Sequence, residues 1–257
     1  MKVQQPKASR RERLRTLAGR DAGRQTGLFL VPDIVSFDDS RGEIVFERLR
    51  VTELRDALTD RSRSLELIGR AAEVLAAIHR HMESSDRTPA IYPDGMDVSP
   101  TRDLVPLHGD FGLRNIFYLP GSDRIAVIDW SNADWIGVDA DLGAPELDIA
   151  VFVMSLFHRR AFSSWSVPHR HEIARHFLAT YASASPHGLS IDTLRTIVAA
   201  ATPRLNRQVR RAKGTLRALG YRHSMIDLRF FLRRLSGSSL AVGQSATPVE
   251  PSWGRAR

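Results

Sequence analysis

The sequence contains no cysteine. That excludes disulfides, thiolate nucleophiles and cysteine-ligated zinc, and a reducing, cytoplasmic setting is expected. Long apolar runs are missing as well. No stretch approaches the roughly eighteen residues that a membrane span takes, so no span is expected. The opening residues, MKVQQPKASRRERLR, are charged but lack the apolar segment of a secretory signal. Acidic residues are in the minority: 29 Asp and Glu face 37 Lys and Arg, for a net charge of +8. Such a basic chain attracts anions, including nucleotides and phosphorylated metabolites. No RNA-binding motif or aromatic platform accompanies the charge, which argues against a nucleic-acid partner.

Two further chemistries lack support. Ser163, Ser164 and Ser166 lie in no G-x-S-x-G context, so nothing points to a serine hydrolase. His171-Glu172 begins HEIARH, but the second imidazole, His176, is five positions on rather than four. On a helix that spacing turns the two rings onto different faces. His169, His171 and His176 are expected to be surface histidines.

What remains is a chain of 257 residues with 42% hydrophobic and 26% charged residues, enough for one or two domains. RRERLRTLAG suggests a short helix whose apolar face is only Leu14 and Leu17. LFLVPDIVSF and GEIVFERL read as two strands of a hairpin around the turn-forming run 38–42. A short helix is expected over 52–59. Leu65, Ile68, Ala72, Leu75, Ile78 and Met82 recur at helical spacing and predict a buried stripe. Residues 84–103 read as a loop. IFYL and RIAVIDW are short strands, and ELDIAVFVMSLFHRR is apolar enough for a buried helix. Further helices are expected around 169–184, 189–200, 203–219 and 224–235, and the tail from Ser236 is expected to be disordered. The order predicts an α+β fold. It divides into a β-containing part over 1–50, a mainly helical part over 51–235 and a tail over 236–257.

The chemistry concentrates in His108-Gly109-Asp110-Phe111-Gly112-Leu113-Arg114-Asn115, followed fourteen residues after Asn115 by Asp129 in Ile128-Asp129-Trp130. Phosphoryl transfer needs a carboxylate beside the attacking hydroxyl and hard oxygen donors for Mg²⁺ on the nucleotide phosphates. Asp110 can supply the first, and Asn115 with Asp129 the second. A loop between short strands puts Asp110 and Asn115 on one rim, and RIAVID returns Asp129 opposite them.

This run resembles the aminoglycoside phosphotransferase and choline kinase family, which has the protein-kinase-like fold and shows H-G-D-x4-N followed by I-D-W or I-D-F. The resemblance implies ATP and Mg²⁺ as cofactors and a small-molecule hydroxyl compound as acceptor. It implies Asp110 as catalytic base, Asn115 and Asp129 as metal ligands, and His108 and Gly109 as shapers of the catalytic loop. Asp148, in Asp148-Ile149-Ala150, would accept backbone N–H groups of that loop. IVFERL resembles the strand that enters the interlobe hinge, so adenine would meet the backbone from Glu47 to Leu49. The interval from Asp129 to Asp148 is longer than usual in the family, and Asp139 and Asp141 within it read as solvated loop carboxylates.

The N-terminal side departs from the family. Only about thirty residues precede the hairpin, and they hold no G-x-G-x-x-G. Lys2 is the candidate strand lysine, with Glu12 as its partner, and Lys7 is the other lysine nearby. A shortened N-terminal lobe is expected, without its first two strands and phosphate lid. The alternative is a catalytically impaired, kinase-like nucleotide-binding protein or a truncated gene product. The basic run Arg204, Arg207, Arg210, Arg211, Lys213 and Arg217 is expected to be a solvated helix face.

Overall fold

A computed structural model describes residues 2–3, 6–58, 61–83, 92, 103–122, 124–131, 141–158 and 167–235. The side chains of Lys2 and Lys7 lie outside the described part, as do Asp139, Ser163, Ser164, Ser166, the tail from 236 and most of the expected 84–103 loop.

In chain order the elements are β1 (Lys2–Val3), α1 (Pro6–Thr26), β2 (Phe29–Leu30), β3 (Ile34–Asp38), β4 (Glu43–Phe46), β5 (Thr52–Glu53), α2 (Leu54–Ala57) and α3 (Arg61–His81). They continue with β6 (Val105–Pro106), β7 (Ile116–Leu119), β8 (Arg124–Val127), β9 (Leu142–Gly143), α4 (Glu146–His158), α5 (Val167–Ala184), α6 (Ile191–Lys213) and α7 (Thr215–Arg234). The fold is mixed, with small sheets and a helical majority.

The sheets run β1-β4-β3, β2-β8-β7-β5 and β6-β9. The β3–β4 hairpin closes on an Asx turn, in which Asp38 Oδ1 accepts the N–H groups of Ser40 and Arg41 at 2.9 and 3.2 Å. LFLVPDIVSF is not one strand, however. Pro32 lies between β2 and β3, and the two serve different sheets: β2 pairs in parallel with β8, while β3 pairs with β4. Residues 1–50 therefore contribute to both larger sheets. The expected helix over 52–59 is a strand followed by a single turn.

α1 also departs from expectation. It spans 21 residues, and Leu14 faces solvent. Its buried face is Ser9, Glu12, Arg15, Thr16 and Ala22. Gly19 and Gly23 let this face approach the sheet: a Cβ at Gly19 would stand 2.5 Å from the Trp130 ring, and one at Gly23 would stand 2.7 Å from the Phe29 carbonyl oxygen.

The core is one cluster that runs from the sheet residues Phe29, Ile116, Ile125 and Val127 through α3, α4 and α5 to the inner faces of α6 and α7. In α4 all residues from Glu146 to Met154, with Leu156 and Phe157, are buried. The breaks in the last helices fall elsewhere than expected. Pro203 sits inside α6, and the chain turns instead at Gly214, with φ at 82°. Proline removes the N–H that would bond the Ala199 carbonyl. Arg229 Nη2, from α7, donates to that carbonyl at 2.9 Å. The lost helical bond is thus replaced from the neighbouring helix.

Candidate active site

The link between β6 and β7 carries the loop His108–Asn115, and Asp129 follows β8. The register Ile116↔Val127 brings the start of β7 to the end of β8. Ile128 N–H donates to the Asn115 carbonyl at 3.0 Å, extending that pairing by one step. Asn115 and Asp129 are neighbours for this reason, although fourteen residues separate them in sequence. Asp129 has φ at 60°. This left-handed conformation costs an L-residue roughly 1–2 kcal/mol. Its Oδ1 accepts the Ser131 hydroxyl at 2.5 Å.

Asp110 is buried and held from two sides. Asn115 Nδ2 donates to the Asp110 carbonyl and to Asp110 Oδ2, both at 2.8 Å. Arg114 Nη2 donates to the same Oδ2 at 2.5 Å. Because both groups facing Asn115 Nδ2 are acceptors, the amide orientation is fixed.

His108 is fully buried and bonds through both nitrogens. Nδ1 accepts the Asp110 N–H at 3.2 Å, and Nε2–H donates to the Ile128 carbonyl at 3.2 Å. That pattern needs the neutral ring. Burial depresses the His108 pKa, outweighing the nearby carboxylates. The imidazole therefore ties Asp110 to the segment that carries Asp129.

Asp148 lies behind the loop at the start of α4. Oδ2 accepts the His108 N–H at 2.7 Å, and Oδ1 accepts the Gly109 N–H at 2.8 Å. His79 Nε2 approaches Oδ2 at 3.1 Å, while its Nδ1 meets the Tyr181 hydroxyl at 2.7 Å. Burial pushes the Asp148 carboxyl up, but the His79 and His108 hydrogen bonds more than offset it and hold the pKa below the usual carboxylate range. Gly109 has φ at 84°, a conformation that favours glycine where both consecutive N–H groups must turn to one carboxylate.

Sequence reasoning missed several of these supports. His79 was hidden in the apolar stripe of α3. Ser155 Oγ, two turns along α4 on the same face as Asp148, accepts the Leu113 N–H at 3.1 Å. Arg15 reaches from α1 into the back of the loop. Its Nη2 donates to the carbonyls of Leu107 and His108, the latter at 2.8 Å, and Nη1 meets Asp141 Oδ1 at 2.9 Å. Arg11 meets the same oxygen at 3.0 Å. Asp141 is thus a buried ion-pair partner, not a solvated loop carboxylate.

Beside Asp129 opens a cleft of about 340 Å³. Pro32, Phe46, Leu49, Val51, Phe117, Ile128 and Trp130 supply its apolar lining. Glu12, Thr16, Glu47 and Asp129 supply its polar rim. The volume falls in the range of small-molecule sites. Glu47 N–H is not open to a ligand, because it donates to the Asp33 carbonyl at 2.9 Å, and Glu47 Oε1 accepts the Asp33 N–H at 3.0 Å. Among the described residues no backbone bond takes the Leu49 N–H. Lys2 is paired through its backbone, opposite Ile44.

Two of the histidines set apart in the sequence have side-chain partners. His169 is buried and meets Glu172 at 3.2 Å, which corrects its expected surface position. His171 meets Asp227 at 3.0 Å. No cluster of three or more acidic, histidine or cysteine side chains suited to a metal occurs among the described residues. Nor is any described helix long and apolar enough to cross a membrane. Compared with known proteins, the chain matches no protein-family profile and no curated protein.

Proposed function

We propose that this protein is an ATP-dependent phosphotransferase acting on a hydroxyl group of a small molecule, with a protein-kinase-like frame similar to that of aminoglycoside phosphotransferases and choline kinases. The carrying observation is the bonding of Asp110 Oδ2 to Asn115, beside Asp129 at the rim of an apolar cleft. The apolar lining suits a purine ring, with the Glu47 carbonyl and Leu49 N–H as its polar edge. Glu47 N–H drops out of that role. The donor set also suits Mg²⁺, which takes few protein oxygens and completes its shell with phosphates and water. Asn115 Oδ1 and Asp129 would hold it, and bound there it supplies charge neutralisation on the phosphates. Asp110 orients the acceptor hydroxyl and receives its proton.

The acceptor we favour is neutral or anionic. Arg207, Arg210, Arg211, Lys213 and Arg217 form an exposed basic face on α6 and α7, which suits a cationic aminoglycoside poorly. The absence of cysteine fits work in the reducing, ATP-containing cytoplasm. The test is transfer of labelled phosphate from ATP to a panel of hydroxylated metabolites. Mg²⁺-dependent transfer is expected, with Asp110→Ala and Asp129→Ala each lowering it at least a hundredfold. Turnover of aminoglycosides alone would sink the acceptor assignment, and transfer that survives both substitutions would sink the site.

A further inference from the structure

We propose that Arg114 is the cation that grips the phosphoryl group in transit, leaving Asp110 for the γ-phosphate when nucleotide binds. This rests on the phosphotransferase reading and adds a residue to it. The chemistry sets a charge problem. A γ-phosphoryl group brings negative charge to a place already occupied by Asp110 and Asp129. Arg114 is the one side chain in the loop 108–115 with a permanent positive charge.

Its placement suits the task. The backbone on either side is pinned: Leu113 N–H bonds Ser155 Oγ at 3.1 Å, and Asn115 N–H bonds the Gly112 carbonyl at 2.9 Å. The guanidinium therefore emerges from a fixed point four residues after the base. One Nη2 contact at 2.5 Å holds it to Asp110 Oδ2. The Arg114 side chain is nevertheless 57% exposed, against 7% for Asp110. A guanidinium carries five N–H donors in a planar fork that matches phosphate oxygens two at a time. The outward part of that fork is open to solvent. The sequence as given contains no G-x-G-x-x-G, so an arginine at the base fits a site that holds phosphate by side-chain charge.

In the step itself, the acceptor oxygen forms a bond to the γ-phosphorus. The bond from phosphorus to the bridging oxygen breaks, and ADP leaves with the electron pair. The hydroxyl proton passes to Asp110. Arg114 keeps its own proton throughout and lowers the charge on the equatorial oxygens.

The test compares two nucleotides by calorimetry, each with Mg²⁺: ADP, and β,γ-imido-ATP, which carries the third phosphate without transferring it. Arg114→Ala is expected to weaken the imido analogue about tenfold, or ~1.4 kcal/mol, while ADP affinity stays within about twofold. Arg114→Lys is expected to recover part of the loss. Because the side chain is exposed, the variants are expected to fold. Equal losses for both nucleotides, or no loss for either, would show a plain surface ion pair and overturn the inference alone. Wild-type protein that binds neither nucleotide would overturn the phosphotransferase reading beneath it.

Discussion

Asp148 joins residue chemistry to the integrity of the site. Its two oxygens take two consecutive N–H groups and face His79. An asparagine there turns one acceptor into a donor, facing a buried N–H. Asp148→Asn is therefore expected to cost about 3 kcal/mol, read by urea denaturation. The pH dependence follows from the depressed carboxyl. A group held below its unfolded value contributes stability above that value, about 3.9 for aspartate, and loses it as pH falls through the folded value. The gap between wild type and Asp148→Asn should be steady from pH 8 to about 5 and shrink below about 4. A gap that widened on acidification would reverse the assignment. At this scale the sequence was informative where a motif brought polar residues together. His108, Asp110, Asn115 and Asp129 were legible as a group, and Asp148 on an apolar helix already demanded partners. Arg15, His79 and Ser155 were not legible, because an arginine among many arginines, or a serine on a buried helix, carries no local signal of what it will meet.

α1 shows what periodicity misses at the scale of the element. A search for an apolar face finds Leu14 and Leu17, yet Leu14 is exposed and the helix turns Glu12, Arg15 and Thr16 inward. The element is held by close approach and by ion pairs to Asp33, Asp39 and Asp141 rather than by an apolar stripe. Gly19 is the point of closest approach. In a free helix, glycine to alanine gains about 1 kcal/mol. Here the new Cβ would lie 2.5 Å from the buried Trp130 ring, so Gly19→Ala is expected to destabilise by about 1–3 kcal/mol. Chemical denaturation gives the sign directly, and a stabilised variant would contradict this packing. Arg15 gives the contact a second consequence, since it ties α1 to the carbonyl of His108 and to Asp141. A shift of α1 would reach the loop that holds Asp110. The helical breaks near the C-terminus misled in a related way. Proline in a helix predicts an end, but Arg229 supplies a donor to the carbonyl that Pro203 leaves bare. That compensation comes from another element and cannot be read locally.

For the whole molecule, the order of β-rich and helical segments gave the α+β class, because alternation and helical spacing are local properties. Sheet membership is not local. β2 and β3 are four residues apart, yet they belong to different sheets, and this split sets Pro32 beside Phe46 on the wall of the cleft. The cleft joins the two larger sheets to the segment carrying Asp129. On the proposed reading, this arrangement binds a nucleotide through its metal. Titration calorimetry of the full chain with ATP tests it most directly, with and without Mg²⁺ and with Asp129→Ala. One site per chain is expected, weakened at least tenfold by chelating the metal or by Asp129→Ala. Folded wild-type protein that takes up no ATP in the presence of Mg²⁺, or binds it equally well after either change, would contradict nucleotide binding through Asp129 and its metal.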